Sequence, residues 1–201
     1  MHIALTGHRP SVLGWGYDLN TSNWLKLKVI LRTLLYDTLK TYPHLTIHVG
    51  GALGADTVWA DVAYELRDQY QKPIRVHIHI PGEWQASKWT LESIGTWQKH
   101  RDLADEVTVY CPIDQPYNGK WLHARNRSMI KQADIIVALW NGQNVGGTAS
   151  ALNDARVLNK PIFNINPHIL ETYTQTQMLK LQATPIITPE RIRRDARNES
   201  M

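Results

Sequence analysis

Leu45-Thr46-Ile47-His48-Val49-Gly50-Gly51-Ala52-Leu53-Gly54-Ala55-Asp56 is the stretch on which the reading of the whole chain turns. Its first residues alternate apolar and polar as a half-buried strand does, and beyond the glycines Ala55, Val58, Trp59, Val62, Ala63 and Leu66 recur at helical spacing. A strand, a glycine turn and a helix are expected. Glycine permits φ > 0 and lets bare backbone N–H groups approach a ligand, while a helix start carries partial positive charge, so the turn suits a phosphate or another anion. The spacing is not Gly-x-Gly-x-x-Gly, and no Lys-Ser/Thr follows as a P-loop requires. A turn of this kind can equally do no more than close a strand-helix corner.

Towards the N-terminus, His2-Ile3-Ala4-Leu5-Thr6 reads as a strand running into Thr6-Gly7-His8-Arg9-Pro10, and the Gly-rich Leu13–Tyr17 segment is expected to be irregular. A helix should start after the cap-forming cluster Asn20-Thr21-Ser22-Asn23, bury Trp24, Leu27, Leu31, Leu34 and Leu35, and stop at Tyr42-Pro43. Towards the C-terminus, Ile74–Ile80 is a strand broken by Pro81-Gly82, and a helix is expected over Ser87–Asp102. Strand Glu106–Cys111, a Pro/Asn/Gly-rich loop to Gly119, a helix containing Trp121–Met129 and the apolar strand Ile135–Trp140 come next. A second glycine turn, Asn141 to Thr148, feeds a helix with Thr148, Ala151, Leu152, Ala155 and Leu158 as its buried stripe, and Lys160–Ile165 is a last strand.

Strict alternation of strand and helix implies an α/β fold: a single Rossmann-like, doubly wound, mainly parallel sheet flanked by helices. Residues 1–165 form that domain, and 166–201, polar and without clear period, read as a C-terminal appendage or partly ordered tail. At 201 residues one core is expected, and 43% hydrophobic with 20% charged residues is ordinary for a soluble protein. The lone Cys111 excludes a disulfide framework, and no apolar run is long enough to span a bilayer, so a cytoplasmic protein with no membrane partner is expected. The net charge of +4 permits an acidic partner, but Arg191, Arg193, Arg194 and Arg197 lie at the end without interleaved aromatics, as in a solvated tail. Trp15, Trp84 and Trp140 fall in loops or at strand ends and are candidate stacking surfaces. His77-x-His79 faces one way on its strand; with no cysteine or acid at a familiar spacing, no metal site is expected, and these histidines should line a sheet face under a helix.

In a parallel sheet all strands end on one edge, where ligands bind at the point of strand-order reversal. That edge gathers Thr6, Gly7, His8 and Arg9, then Gly50 and Gly51 with Asp56, then Glu83 and Trp84, then Gly146, Gly147 and Thr148. Glycine turns for anionic oxygens, Arg9 and tryptophan rings together suit a nucleotide. Glu83 is the candidate catalytic carboxylate or ribose ligand; Asp56 also has an explanation as a helix-start acid, and Thr148 as a cap.

These segments, with Trp59-Ala60, Arg125-Asn126-Arg127-Ser128-Met129 and Lys160-Pro161, resemble the SLOG superfamily, which joins DprA/Smf DNA-processing proteins with LOG phosphoribohydrolases. The YpsA-like branch is the most similar. The resemblance implies a nucleotide-type ligand, no required cofactor, a homodimer and a phosphate or ribose role for Arg125. LOG enzymes carry a glutamate three residues past the threonine of the second glycine turn; here Ala151 stands there. The expected function is therefore binding of an AMP- or ADP-ribose-like molecule as sensor or sequestering protein. The alternatives are an N-glycosidase and, third, a DprA-like single-stranded DNA binder.

Overall fold

The computed structural model describes residues 1–172; the Arg-rich end and most of the expected appendage lie outside the described residues. Strands β1 (His2–Gly7), β2 (Leu45–Val49), β3 (Ile74–Ile80), β4 (Glu106–Val109), β5 (Ile135–Leu139) and β6 (Ile162–Ile165) form one six-stranded sheet in the order β4-β3-β2-β1-β5-β6. Every pairing is parallel, where a mainly parallel sheet was expected. The chain steps outward from β1 through β2 and β3 to β4, then returns to place β5 on the other side of β1. The strand order thus reverses between β1 and β5.

The helices are α1 (Pro10–Leu13), α2 (Ser22–Thr41), α3 (Ala55–Asp68), α4 (Leu91–Leu103), α5 (Gly119–Gln132) and α6 (Gly146–Val157), with a 3-10 turn at Glu83–Ala86. The irregular segment expected from Leu13 onward begins one residue late: Pro10, whose fixed φ suits a first helical position, opens a single helical turn closed by Gly14 at φ 68. The helix expected from Ser87 starts instead at Leu91, because Thr90 caps it through the Ser93 N–H at 3.2 Å.

α3 is buried nearly all round, Thr57, Ala60 and Tyr64 included beside the predicted stripe, since it lies along β1, β2 and β3 and is backed by α2. On the sheet's other face Ala4, Ile136 and Ala138 pack against Met129 and Ile130 of α5, Ala133 just past its end, and Ala151, Leu152 and Ala155 of α6. Ile136, Val137, Ala138 and Leu139 are all fully buried, as an apolar run covered on both faces should be. Burying such side chains stabilises the sheet by about 1.5–3 kcal/mol for each Leu, Ile or Val. Among the described residues no helix is long and apolar enough to cross a membrane.

Candidate functional site

Beyond the carboxyl ends of β1 and β5, at the reversal point, lies a cavity of about 360 Å³. Thr6, Gly7, His8 and Arg9 enter it from the end of β1, Asp56 from the start of α3, Arg125 from α5, and Gly146, Gly147 and Thr148 from the start of α6. The fold therefore brings these predicted residues together. A larger cavity of about 750 Å³ adjoins it past β2 and β3 and shares Arg9, Ala52, Leu53 and Asp56 with the first. Its walls include Gly51, Tyr17, Trp89 and Trp97.

The two glycine turns are built differently. In the first, a Cβ on Gly50 would stand 1.4 Å from Arg125 Nη1, and one on Gly54 2.8 Å from Pro10 Cγ. Gly51, at φ 68, is hemmed by Ile80, Trp97 and Gln85, and Gln85 Nε2 donates to the Gly50 carbonyl at 3.1 Å. Packing at Gly50 and Gly54, and the positive φ at Gly51, account for these glycines from within the fold. Gly7 is likewise demanded by the Ala55 Cβ, which a side chain there would meet at 2.6 Å. In the second turn a Cβ on Gly142, Gly146 or Gly147 would meet nothing within 4 Å among the described residues. Gly146 needs its freedom because φ is 81; Gly147 has neither a positive φ nor a neighbour to require it.

Val145 stands at the N-cap position of α6 and its side chain makes no cap, so the first N–H groups of the helix open at the cavity without an intrahelical acceptor. Thr148 is buried inside that first turn, three residues past Val145, and so does not cap the helix.

Arg125 and Asp56 form the buried charged pair of the site, each 7% exposed, with Arg125 Nη1 3.7 Å from Asp56 Oδ2. Asp56 accepts from the Ala52 N–H at 3.0 Å, so it ties the first glycine turn rather than the α3 start. Burial pushes its carboxyl up, opposed by Arg125, the Ala52 N–H and Arg9; burial likewise pulls the Arg125 guanidinium down. Arg125 Nε is buried without a partner among the described residues. A buried donor left unmade costs about 1–3 kcal/mol, a cost that an anion in the cavity would relieve. His8 is aimed by Asn141, its Nε2 lying 2.8 Å from Asn141 Oδ1. Arg9 and Arg125 outweigh Asp56, and the α6 start adds to the positive field.

Glu83 and Trp84 line neither cavity. Glu83 accepts from Arg101 at 2.7 and 2.9 Å, a bidentate clamp between the 3-10 turn and α4, so its expected place beside a ribose is taken up by structure. Trp84 packs under Gly82 and edge-on to Tyr117, its ring centroid 4.8 Å away. Trp15 lies edge-on to Trp24, and Trp140 donates its indole N–H to the Gln143 carbonyl. The rings that do line a cavity, Tyr17, Trp89 and Trp97, were missed: two sit on either side of the α4 start, inside the stretch expected only to be a polar, tryptophan-containing helix. Ala151 is fully buried against the sheet, so no acid stands at the LOG glutamate position, and Asp56 is the one carboxylate lining the smaller cavity among the described residues.

The sheet histidines do lie buried under a helix, as expected, but with an additional member. His48 of β2 pairs in register with His77 of β3, and the ligating atoms of His48, His77 and His79 lie within 4.8 Å of one another. Burial and the neighbouring imidazoles hold His48 down at about 3 and His79 at about 2.

Two UPF0398 proteins are similar over most of their length: that of Bacillus pumilus is 25% identical over 158 residues, 76% of this chain and 80% of its own. That of Bacillus velezensis is 24% identical over 172 residues, 81% and 90% of the two chains. DNA processing protein A from Streptococcus pneumoniae shares the fold with a TM-score of 0.56 at 16% identity, over 91% of this chain and 56% of that one. Its Helicobacter pylori counterpart, described for its single-stranded DNA binding mode, gives 0.57 at 17% over 90% and 80%. Residues 3–169 match the YspA SLOG family throughout the sheet and the cavity that its strand reversal creates, and the chain belongs to that family.

Proposed function

We propose that the chain binds the phosphate-bearing end of a nucleotide or nucleotide derivative in the cavity beyond β1 and β5, as a sensor or sequestering protein. The observation that carries this reading is Gly147, a glycine at an uncapped helix start with open space where a side chain would be. A phosphate seated on the N–H groups there would meet Arg125 and Arg9. Its sugar and ring would extend past Asp56 toward Tyr17 and Trp97. Asp56, the one carboxylate lining the smaller cavity among the described residues, is taken up by the Ala52 N–H and Arg125, which supports binding over N-glycosidic hydrolysis, a reaction that requires an available acid or base at the ribose.

Titration calorimetry with AMP, ADP-ribose and ribose 5-phosphate tests the proposal. Saturable heat lost in Gly147→Val is expected; no heat from any of the three at millimolar concentration would sink it. The fold likeness to DNA processing protein A favours a second reading, single-stranded DNA binding. It predicts that an oligothymidylate binds with an affinity falling steeply as salt rises, while mononucleotides give no heat.

A further inference from the structure

We propose that His48, His77 and His79 form a three-imidazole site for a zinc-class divalent ion that clasps β2 to β3 on the face covered by α5. The site is separate from the cavities, since none of the three histidines lines either.

Three observations support it. The first is convergence: strand register sets His48 opposite His77, His79 lies two residues on along the same face, and the ligating atoms fall within 4.8 Å of one another. His48 Nδ1 and His79 Nε2 are already 2.9 Å apart. In a tetrahedral site with metal–nitrogen distances of about 2.0–2.1 Å, ligand nitrogens stand about 3.3 Å apart, so the His48–His79 pair opens by a few tenths of an ångström while the widest pair, within 4.8 Å, draws in.

The second is the outer ring of partners. A metal-bound imidazole needs its other nitrogen held, which sets the tautomer and the ring plane. His48 Nε2 lies 3.0 Å from His2 Nδ1, His77 Nε2 2.8 Å from Thr108 Oγ1, and His79 Nδ1 2.7 Å from the Tyr110 hydroxyl. Each histidine is thus held from outside through one nitrogen, which leaves Nδ1 of His48, Nδ1 of His77 and Nε2 of His79 as the nitrogens for the ion. Glu106, 3.4 Å from His77 Nε2, supplies a nearby negative charge.

The third is burial. His79 is fully buried and His48 and His77 are 1% and 5% exposed, on a sheet face that runs from Ala4 and Ile136 on one side to Glu106 and Thr108 of β4 on the other. Three polar rings buried side by side carry a desolvation cost that packing alone does not call for. Neutral imidazoles are the form that suits zinc and its neighbours in the transition series.

Chelator-stripped protein titrated with Co²⁺ and Zn²⁺ provides the test. One equivalent of Co²⁺ should bind with the visible d–d absorption of a tetrahedral site, and Zn²⁺ should displace it. His77→Gln and His79→Gln should each weaken binding by about 100-fold, and Tyr110→Phe, which removes only an outer partner, by about tenfold. X-ray absorption of the zinc-loaded wild type should show three imidazoles at about 2.0–2.1 Å, a readout that stands even if the glutamine variants fail to fold. Absence of stoichiometric binding would overturn the proposal, leaving a hydrogen-bonded imidazole row. So would an oxygen-rich shell, or binding unchanged in both glutamine variants.

Discussion

Two glycine turns end two strands of the same sheet, and they are glycine-rich for opposite reasons. Around Gly50 and Gly54 the protein itself fills the space a side chain would need: a guanidinium, a proline ring and an indole press on the backbone. Around Gly146 and Gly147 nothing does among the described residues. A glycine demanded by packing speaks of the fold; one that packing leaves unexplained speaks of something that approaches from outside. The contrast also orders the site, because the residue that excludes a side chain at Gly50, Arg125, lines the cavity onto which Gly147 opens.

The largest test removes the residue common to both turns. Arg125→Met should destabilise the fold by about 3–5 kcal/mol in chemical denaturation, because Asp56 is left buried without its counter-charge. Asp56→Leu in the same chain should restore much of that loss while nucleotide binding stays absent. If the double variant binds as wild type does, Arg125 has no part in the site.

Gly50→Ala comes next. With Arg125 Nη1 where the new methyl must go, a loss of about 1–3 kcal/mol and a displaced guanidinium are expected, read as a lower denaturation midpoint together with weaker binding. Unchanged stability would mean that the first turn is as open as the second.

Acid sharpens the comparison from the sheet side. The folded-state values of His48 and His79 lie below the ordinary imidazole value, so their contribution is complete above about pH 6.5 and is lost as pH falls toward about 3 and about 2. His2, His77, Glu106, Arg75, Tyr110 and Arg125 are the charged and titratable groups around this row. Unfolding free energy should drop by about 1.4 kcal/mol per pH unit for each histidine between pH 6 and pH 4. A profile flat over that range would show that the histidines are not buried as neutral rings.

The smallest effect on stability is the most telling for function. Gly147→Ala should leave the melting temperature unchanged or raise stability by about 0.5–1 kcal/mol, since alanine suits a helix and has room. Calorimetry on the same variant should show nucleotide affinity lowered by tenfold or more. Wild-type affinity in this variant would remove the argument drawn from the open turn.

The alternation of the first glycine stretch, the apolar run at Ile135 and the turn residues between them were sufficient to read a wound parallel sheet, because period and punctuation are local properties of the backbone. The rim residues followed from topology alone: once strands are parallel, Thr6 to Arg9 and Gly146 to Thr148 must share an edge. Glu83 and Trp84 also sit after a strand, yet their side chains turn to Arg101 and Tyr117, a choice that partners distant in sequence make. Tyr17, Trp89 and Trp97 escaped notice for the converse reason, being brought to a cavity wall by packing that no spacing records.

What the sequence by itself determined is the order of strand, turn and helix, and hence the edge on which a ligand can be met. Only the tertiary structure decided which glycines are walled in and which are open, and that His48 stands opposite His77. The physical reason is that periodicity is written within one segment, whereas side-chain contacts and strand register exist only between segments.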